Sequence, residues 1–315
     1  MIPTIKSRLK GRDLLTLMDY SKEEVEYLLE ASAELKRARR MGATHEYLKG
    51  RQVALIFEKH STRTRVSFQS AVAQLGAQSF YMKTEELQMA RGEPIKDTAR
   101  VIDRYCDALV IRTFGQERVE EFAQYMENPV INALTDLTHP CQGLADLLAI
   151  REKKGAFRGL KLAFVGDIFN VCHTTMIWGS MMGMDTYIAG PLEKYKPNSN
   201  IVKFAKEKAE ATGSKLVFTS NLEEAVTDAD IIYAVTFFSM GQKDVDQRKK
   251  DFASFQITED VLAKGKDDVI FMHPLPAHRG EEVTEEVIEG PRSVVWDQAE
   301  NRLHVQKAVL CSVIH

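Results

Sequence analysis

The sequence predicts an α/β protein built as two doubly wound parallel-sheet domains, with a ligand site in the cleft between them. Short apolar runs alternate with segments of helical period along the whole chain, the pattern of a mostly parallel sheet. The polar clusters fall just past the ends of those runs, where ligands bind in such sheets. At 315 residues the chain has room for two ordinary domains.

Residues 10–40 read as helix, with Ser21 and Glu24 as a capping box. QVALIF (52–57) is a buried strand, and Glu58-Lys59-His60 is a turn. Ser61-Thr62-Arg63-Thr64-Arg65 then opens a helix whose Phe68, Val72 and Leu75 share a face and whose stop is Gly76. QSFYM (78–82) is a second strand, LQMARGEPI (87–95) a loop, and the stretch from Ile95 to Tyr105 a helix. ALVIR (108–112) and PVINAL (129–134) are strands leading to Arg112 and to Thr138-His139-Pro140-Cys141-Gln142. A helix from Gly143 to about Lys153 closes the first unit, so residues 1–150 are expected to form one domain. Residues 151–297 then form a second, with strands at 161–167, 185–189, 215–218, 230–236 and 268–273. Helices are expected at 171–183 and 198–212, and a short one behind a Ser220/Glu223 cap. The closing segment, residues 298–315, reads as an amphipathic helix completing the first domain.

A strand, a turn and a helix start rich in hydroxyls and guanidinium groups make an anion site, because free N–H groups and the positive helix end point outward. A cap needs one hydroxyl; three hydroxyls interleaved with two arginines exceed that need, and phosphate is the expected ligand. The net charge of −3 points to neither nucleic acid nor membrane as partner, so these arginines are a local feature. No apolar run reaches the length of a membrane helix, and the opening MIPTIKSRLKGRDLL has no signal core. Four scattered cysteines without metal or disulfide spacing suit the cytoplasm, and no cofactor or metal is expected.

Taken together, Ser61–Arg65, His139-Pro140-Cys141-Gln142 and His273-Pro274-Leu275-Pro276 resemble the signature blocks of the aspartate/ornithine carbamoyltransferase superfamily. Lys49-Gly50, Phe57-Glu58-Lys59, Asp97-Thr98-Ala99-Arg100, the segment from Ala277 to Val283 and Glu300-Asn301-Arg302 are similar to its ornithine branch. The resemblance implies carbamoyl transfer from carbamoyl phosphate to an amine, ornithine giving citrulline, within arginine biosynthesis. It implies that Ser61, Thr62, Arg63 and Thr64 hold the phosphate and that Arg112 bridges phosphate and carbonyl oxygen. It further implies that His139 and Gln142 contact the carbamoyl group, that Arg302 completes the site, and that Pro274 and Leu275 line it. Gln88, beside Arg91, matches a loop that in this family enters a neighbouring subunit's site, which implies a trimer or a multiple of trimers. Asn170, Ser239 and Met240 match positions that hold the second substrate.

Three positions depart from the ornithine pattern. Phe169 replaces a polar residue, beside Ile168 in place of glycine. Val235 stands where an Asp meets the α-ammonium, and Pro274 replaces a cysteine. Valine cannot satisfy a buried ammonium, so two readings stay open beside ornithine: an amine without a free α-ammonium, and a non-catalytic subunit. Aspartate would need arginines that the Asn170 and Ser239 segments lack, although Arg279 is near in sequence. A dinucleotide-dependent oxidoreductase is disfavoured, because Val165-Gly166-Asp167 lacks the G-x-G-x-x-G spacing.

Overall fold

A computed structural model describes residues 9–239, 242 and 244–314. The chain divides into two compact units, one running to Leu148 and resuming at Glu300, the other spanning Ala149–Ala299.

The first unit begins with α1 (Lys22–Arg40), β1 (Gln52–Phe57), α2 (Thr62–Gln74) and β2 (Gln78–Lys83), followed by α3 (Ile95–Tyr105), β3 (Ala108–Arg112), α4 (Gln116–Tyr125), β4 (Val130–Leu134) and α5 (Pro140–Lys154). Its sheet is all parallel in the order β2-β1-β3-β4. The chain leaves β1 towards β2 and returns to the other side of β1 at β3, so the topological switch lies between β1 and β3. Ala54, Ile56, Leu109 and Ile111 of these strands are buried with Ala99, Ile102, Val119 and Phe122 of α3 and α4.

The second unit runs β5 (Lys161–Val165), α6 (Asn170–Met182), β6 (Asp185–Ala189), α7 (Ser199–Thr212), β7 (Leu216–Thr219), α8 (Leu222–Val226), β8 (Ile231–Ala234), α9 (Val245–Phe252), α10 (Glu259–Leu262), β9 (Ile270–Met272) and α11 (Glu285–Glu289). Its parallel sheet has the order β7-β6-β5-β8-β9, which puts the switch between β5 and β8. Helix α12 (Val295–Val313) ends the chain, and its residues from Glu300 onward belong to the first unit.

Local chemistry sets these boundaries. Ser61 caps α2 by accepting from the Thr64 N–H at 3.2 Å, and burial of Phe68 on the inner face contributes ~2 kcal/mol. Helix α1 starts at Lys22 behind the Ser21/Glu24 capping box, not at residue 10. Upstream of that cap, Thr16 caps only a 3-10 turn, Leu17–Asp19. A 3-10 turn also occupies Gln88–Arg91, inside the expected loop. The cap of α8 is Asn221, whose side chain accepts from the Glu223 and Glu224 N–H groups. Ser220 instead donates to the Gly190 carbonyl. Helix α12 departs most from expectation: residues 301–310 are all buried, so it is a core helix, not an amphipathic one. Among the described residues no helix is long and apolar enough to cross a membrane.

Candidate active site

In the first unit the expected residues gather at the switch point. Arg112 ends β3, paired in register with Phe57 at the end of β1, and its carbonyl accepts from the Glu58 N–H at 2.8 Å. The turn after β1 leads into the Ser61 cap, so Thr62, Arg63 and Thr64 occupy the first turn of α2. His139 immediately precedes α5, and its carbonyl accepts from the Gln142 and Gly143 N–H groups. Arg302, near the start of the first unit's share of α12, donates through Nη1 to Gln142 Oε1 at 2.7 Å and through Nη2 to Thr64 Oγ1 at 3.2 Å. One guanidinium thereby ties together three of the expected segments, residues 62–64, 139–142 and 300–302. Gln142 is fixed from its other end, donating to Asp146 Oδ1 at 2.7 Å.

Arg63, Arg112 and Arg302 bring three positive charges to this cluster. Thr64, Arg112, His139, Gln142 and Arg302 are all buried. Burial, and then the charges of Arg302 and Arg63, pull the Arg112 guanidinium down to about 10, a shift equivalent to roughly 3 kcal/mol. Burial, reinforced by Arg302 and Arg112, holds the His139 imidazole well below its ordinary 6.5, so it is neutral at pH 7. The neighbouring acid Glu58 is already engaged by Arg118 and Thr113, and Asp136 pairs with Lys59. Gln88, by contrast, lies exposed on its 3-10 turn with Arg91.

The second unit has its own cluster at its own switch point. After β5 the chain passes through Gly166 with φ of +126°, where a Cβ would lie 2.5 Å from the Val235 carbonyl oxygen after β8. Only glycine permits that approach. Asp167 follows, buried, accepting from Ser239 Oγ at 2.6 Å and paired with the buried Arg248 of α9. Burial raises the Asp167 carboxyl above the ordinary carboxylate value, against the pull of Ser239 and Arg248. Arg248 also stacks on Tyr195, 4.2 Å from the ring centroid. Phe169 is the residue before α6 and Asn170 its buried first residue. Val235 is buried, and Thr236 Oγ1 donates to the Phe238 carbonyl at 2.9 Å. Met240 lies outside the described residues. Pro274 and Leu275 follow β9, with Leu275 in the left-handed region at φ of +56° and its N–H donating to His273 Nδ1 at 2.9 Å.

Arg248 and Asp146 were not singled out from the sequence. Arg248 lies four residues before the buried Phe252 on α9, and that inward spacing was the available signal. Asp146, at i+4 from Gln142, faces the same side of α5.

Comparison with known proteins decides the family. Residues 12–152 match the model for the carbamoyl-P binding domain of aspartate/ornithine carbamoyltransferase, and residues 158–313 match the model for its Asp/Orn binding domain. The chain belongs to the aspartate/ornithine carbamoyltransferase family. This carbamoyltransferase-family chain is 50% identical to the ornithine carbamoyltransferase of Anoxybacillus flavithermus, over 99% of each chain. It is 48% identical to that of Pyrococcus horikoshii, over 97% of this chain and 96% of the relative. Among solved structures, ornithine carbamoyltransferase from Pyrococcus furiosus superposes with a TM-score of 0.94 at 48% identity, covering 97% of this chain and 98% of that one.

Proposed function

We propose that this protein transfers the carbamoyl group of carbamoyl phosphate to the side-chain amine of ornithine, forming citrulline and inorganic phosphate. The observation that carries the reading is the buried Arg112, whose proton affinity is lowered by burial and then by the positive charges of Arg302 and Arg63. A multiply charged anion relieves that repulsion, and carbamoyl phosphate is such an anion. The relatives named ornithine carbamoyltransferase support ornithine as the acceptor.

In this reading Ser61, Thr62, Arg63 and Thr64 hold the phosphate with the N–H groups at the start of α2, as helix N-termini hold anions generally. Arg112 spans phosphate and carbonyl oxygen. His139, neutral at pH 7, offers an imidazole hydrogen bond to the carbonyl oxygen. Gln142, pinned by Arg302 and Asp146, orients the carbamoyl nitrogen. The neutral amine attacks the carbamoyl carbon, charge builds on the carbonyl oxygen, the C–O bond to phosphate breaks, and phosphate departs with that electron pair and takes up the proton that the amine nitrogen loses. Preorganised donors aimed at those oxygens stabilise the transition state, and no nucleophilic side chain is needed.

Asn170, Phe169, Val235 and Ser239 form the acceptor site. With Val235 in place of an acid, Thr236 Oγ1 serves the α-ammonium, since it spends its proton on the Phe238 carbonyl and keeps lone pairs to accept. The residues up to about 150, with 298–315, are the carbamoyl phosphate domain, and 151–297 the acceptor domain. A homotrimer is the proposed assembly, supported by the exposed Val66, Phe80, Val101, Tyr105 and Phe114 of the first unit, with Gln88 reaching a neighbour's site. The four free thiols support a cytoplasmic location.

The test is a colorimetric ureido-product assay with carbamoyl phosphate and a panel of ornithine, N-acylated ornithines, putrescine, lysine, β-alanine and aspartate. Citrulline formation with ornithine preferred is the expected result. Preference for an amine without a free α-ammonium would overturn the acceptor assignment. Silence across the panel would overturn catalysis.

A further inference from the structure

The turn that follows β9 brings together three ligating atoms that the reaction above does not use. His278 Nδ1 lies 3.6 Å from Glu282 Oε2 and 4.0 Å from Glu281 Oε2. All three atoms lie within 4.8 Å of one another. Each is sealed from solvent, and none makes a hydrogen bond within the described residues. Glu282 as a whole is 1% exposed. A buried carboxylate oxygen with no donor is costly, and here two of them converge on an imidazole nitrogen.

The other oxygen of each glutamate is engaged. Glu281 Oε1 accepts from Lys249 Nζ at 2.6 Å. Glu282 Oε1 accepts from the His278 backbone N–H at 2.6 Å, and His273 Nε2 lies 3.2 Å from it. Phe238 stacks on the His278 ring at 5.0 Å and 14°, which fixes the direction of its nitrogens. Each candidate ligand is thus oriented by a second group, and both inner oxygens are left facing the same point. Metal sites are built with this division between ligating and orienting contacts.

We propose that His278, Glu281 and Glu282 bind one Zn2+ ion through Nδ1, Oε2 and Oε2. A tetrahedral zinc with bonds of about 2.0–2.2 Å separates its ligands by roughly 3.4 Å. The two separations from Nδ1 need to close by only a few tenths of an ångström. The imidazole disfavours Mg2+ and Ca2+, which prefer oxygen shells. His278 is partly exposed and leaves a path for the ion and for a water as fourth ligand. In sequence the three residues are three and four apart, spaced as on a helix. The segment is instead a turn through Gly280, with φ of +86°, which is why spacing did not announce a site.

The competing explanation is a proton on His278, bridging the carboxylates without metal. To separate the two, the full-length protein is stripped with chelator and titrated with Zn2+ by calorimetry. Co2+, followed by its visible absorption, reports coordination number. One equivalent of Zn2+ per chain and the spectrum of four-coordinate Co2+ are expected. His278→Ala and Glu281→Gln should each weaken Zn2+ at least tenfold, with metal-free melting temperatures at the parent value for at least Glu281→Gln. No saturable equivalent in the parent protein overturns the site, as does affinity unchanged in Glu281→Gln.

Discussion

The two switch points solve the same topological problem with opposite electrostatics. Between β1 and β3 the first unit gathers Arg63, Arg112 and Arg302, and the nearby carboxylates are spent on other partners. Between β5 and β8 the second unit buries Asp167 against Arg248 and Ser239 and is neutral within itself. A site that gathers three guanidinium groups favours an anionic ligand. A compensated site selects by shape and by the few hydrogen bonds left over. On the proposed function, the first cluster takes the strongly charged substrate and the second the acceptor.

The sharpest way to break this contrast is Arg112→Met. On the proposed function it should lower kcat/KM for carbamoyl phosphate by about 10³-fold or more, and near-normal steady-state kinetics would remove the anion assignment. Next in size is Asp167→Asn. It leaves Arg248 buried without its carboxylate and should cost about 3–5 kcal/mol in urea unfolding. A loss under 1 kcal/mol would mean the second cluster is not charge-compensated as described. Inorganic phosphate at a hundred times its Kd should stabilise the protein by about 2.7 kcal/mol, read as a rise in melting temperature that ornithine alone does not reproduce. Equal shifts from both would erase the difference between the sites.

The pH dependence of stability carries the same contrast. His139 titrates below 6.5 in the folded chain. As pH falls through 6.5 the unfolded chain therefore binds a proton that the folded chain refuses, and stability declines towards the folded pKa. His139→Gln should flatten that part of the curve, and an unaltered slope would show that another group sets it. The smallest expected effect is Val235→Asp, which puts an acid into the proposed acceptor site. A gain of roughly tenfold in kcat/KM for ornithine, equivalent to about 1.4 kcal/mol, should follow; no gain would point to Phe169 instead.

Much of this was legible in the residues. Strand positions in both sheets followed from apolar runs, and the Ser61 and Ser21 caps from local spacing, because each depends on neighbours in sequence. Contacts set by the fold were not legible. The choice of Asp167 by Arg248 spans 81 positions, and nothing in α9 names its partner. Helix α12 reads as amphipathic because Arg302, His304 and Lys307 are polar, yet all three are buried. Lys307 Nζ finds Leu35 O, His45 Nε2 and Gln74 Oε1 as acceptors at 3.2–3.4 Å. Periodicity cannot distinguish a solvated face from a buried, hydrogen-bonded one. The Ser220 reading failed for a smaller reason: two adjacent capping residues compete, and the Gly190 carbonyl takes Ser220 out of the contest.

The divided first unit has a consequence for the order of events on the ribosome. Its strands are made early, but its share of α12, from Glu300, emerges only after the whole of Ala149–Ala299. At about 5–20 residues per second, the early strands wait on the order of ten seconds or longer for Arg302. The contiguous second unit has its complete sequence before the first unit does. Until residue 302 emerges, Thr64 and Gln142 lack the guanidinium that joins them, so a shorter chain cannot assemble the cluster of Arg63, Arg112 and Arg302. Assembly of that cluster is thereby tied to synthesis of α12.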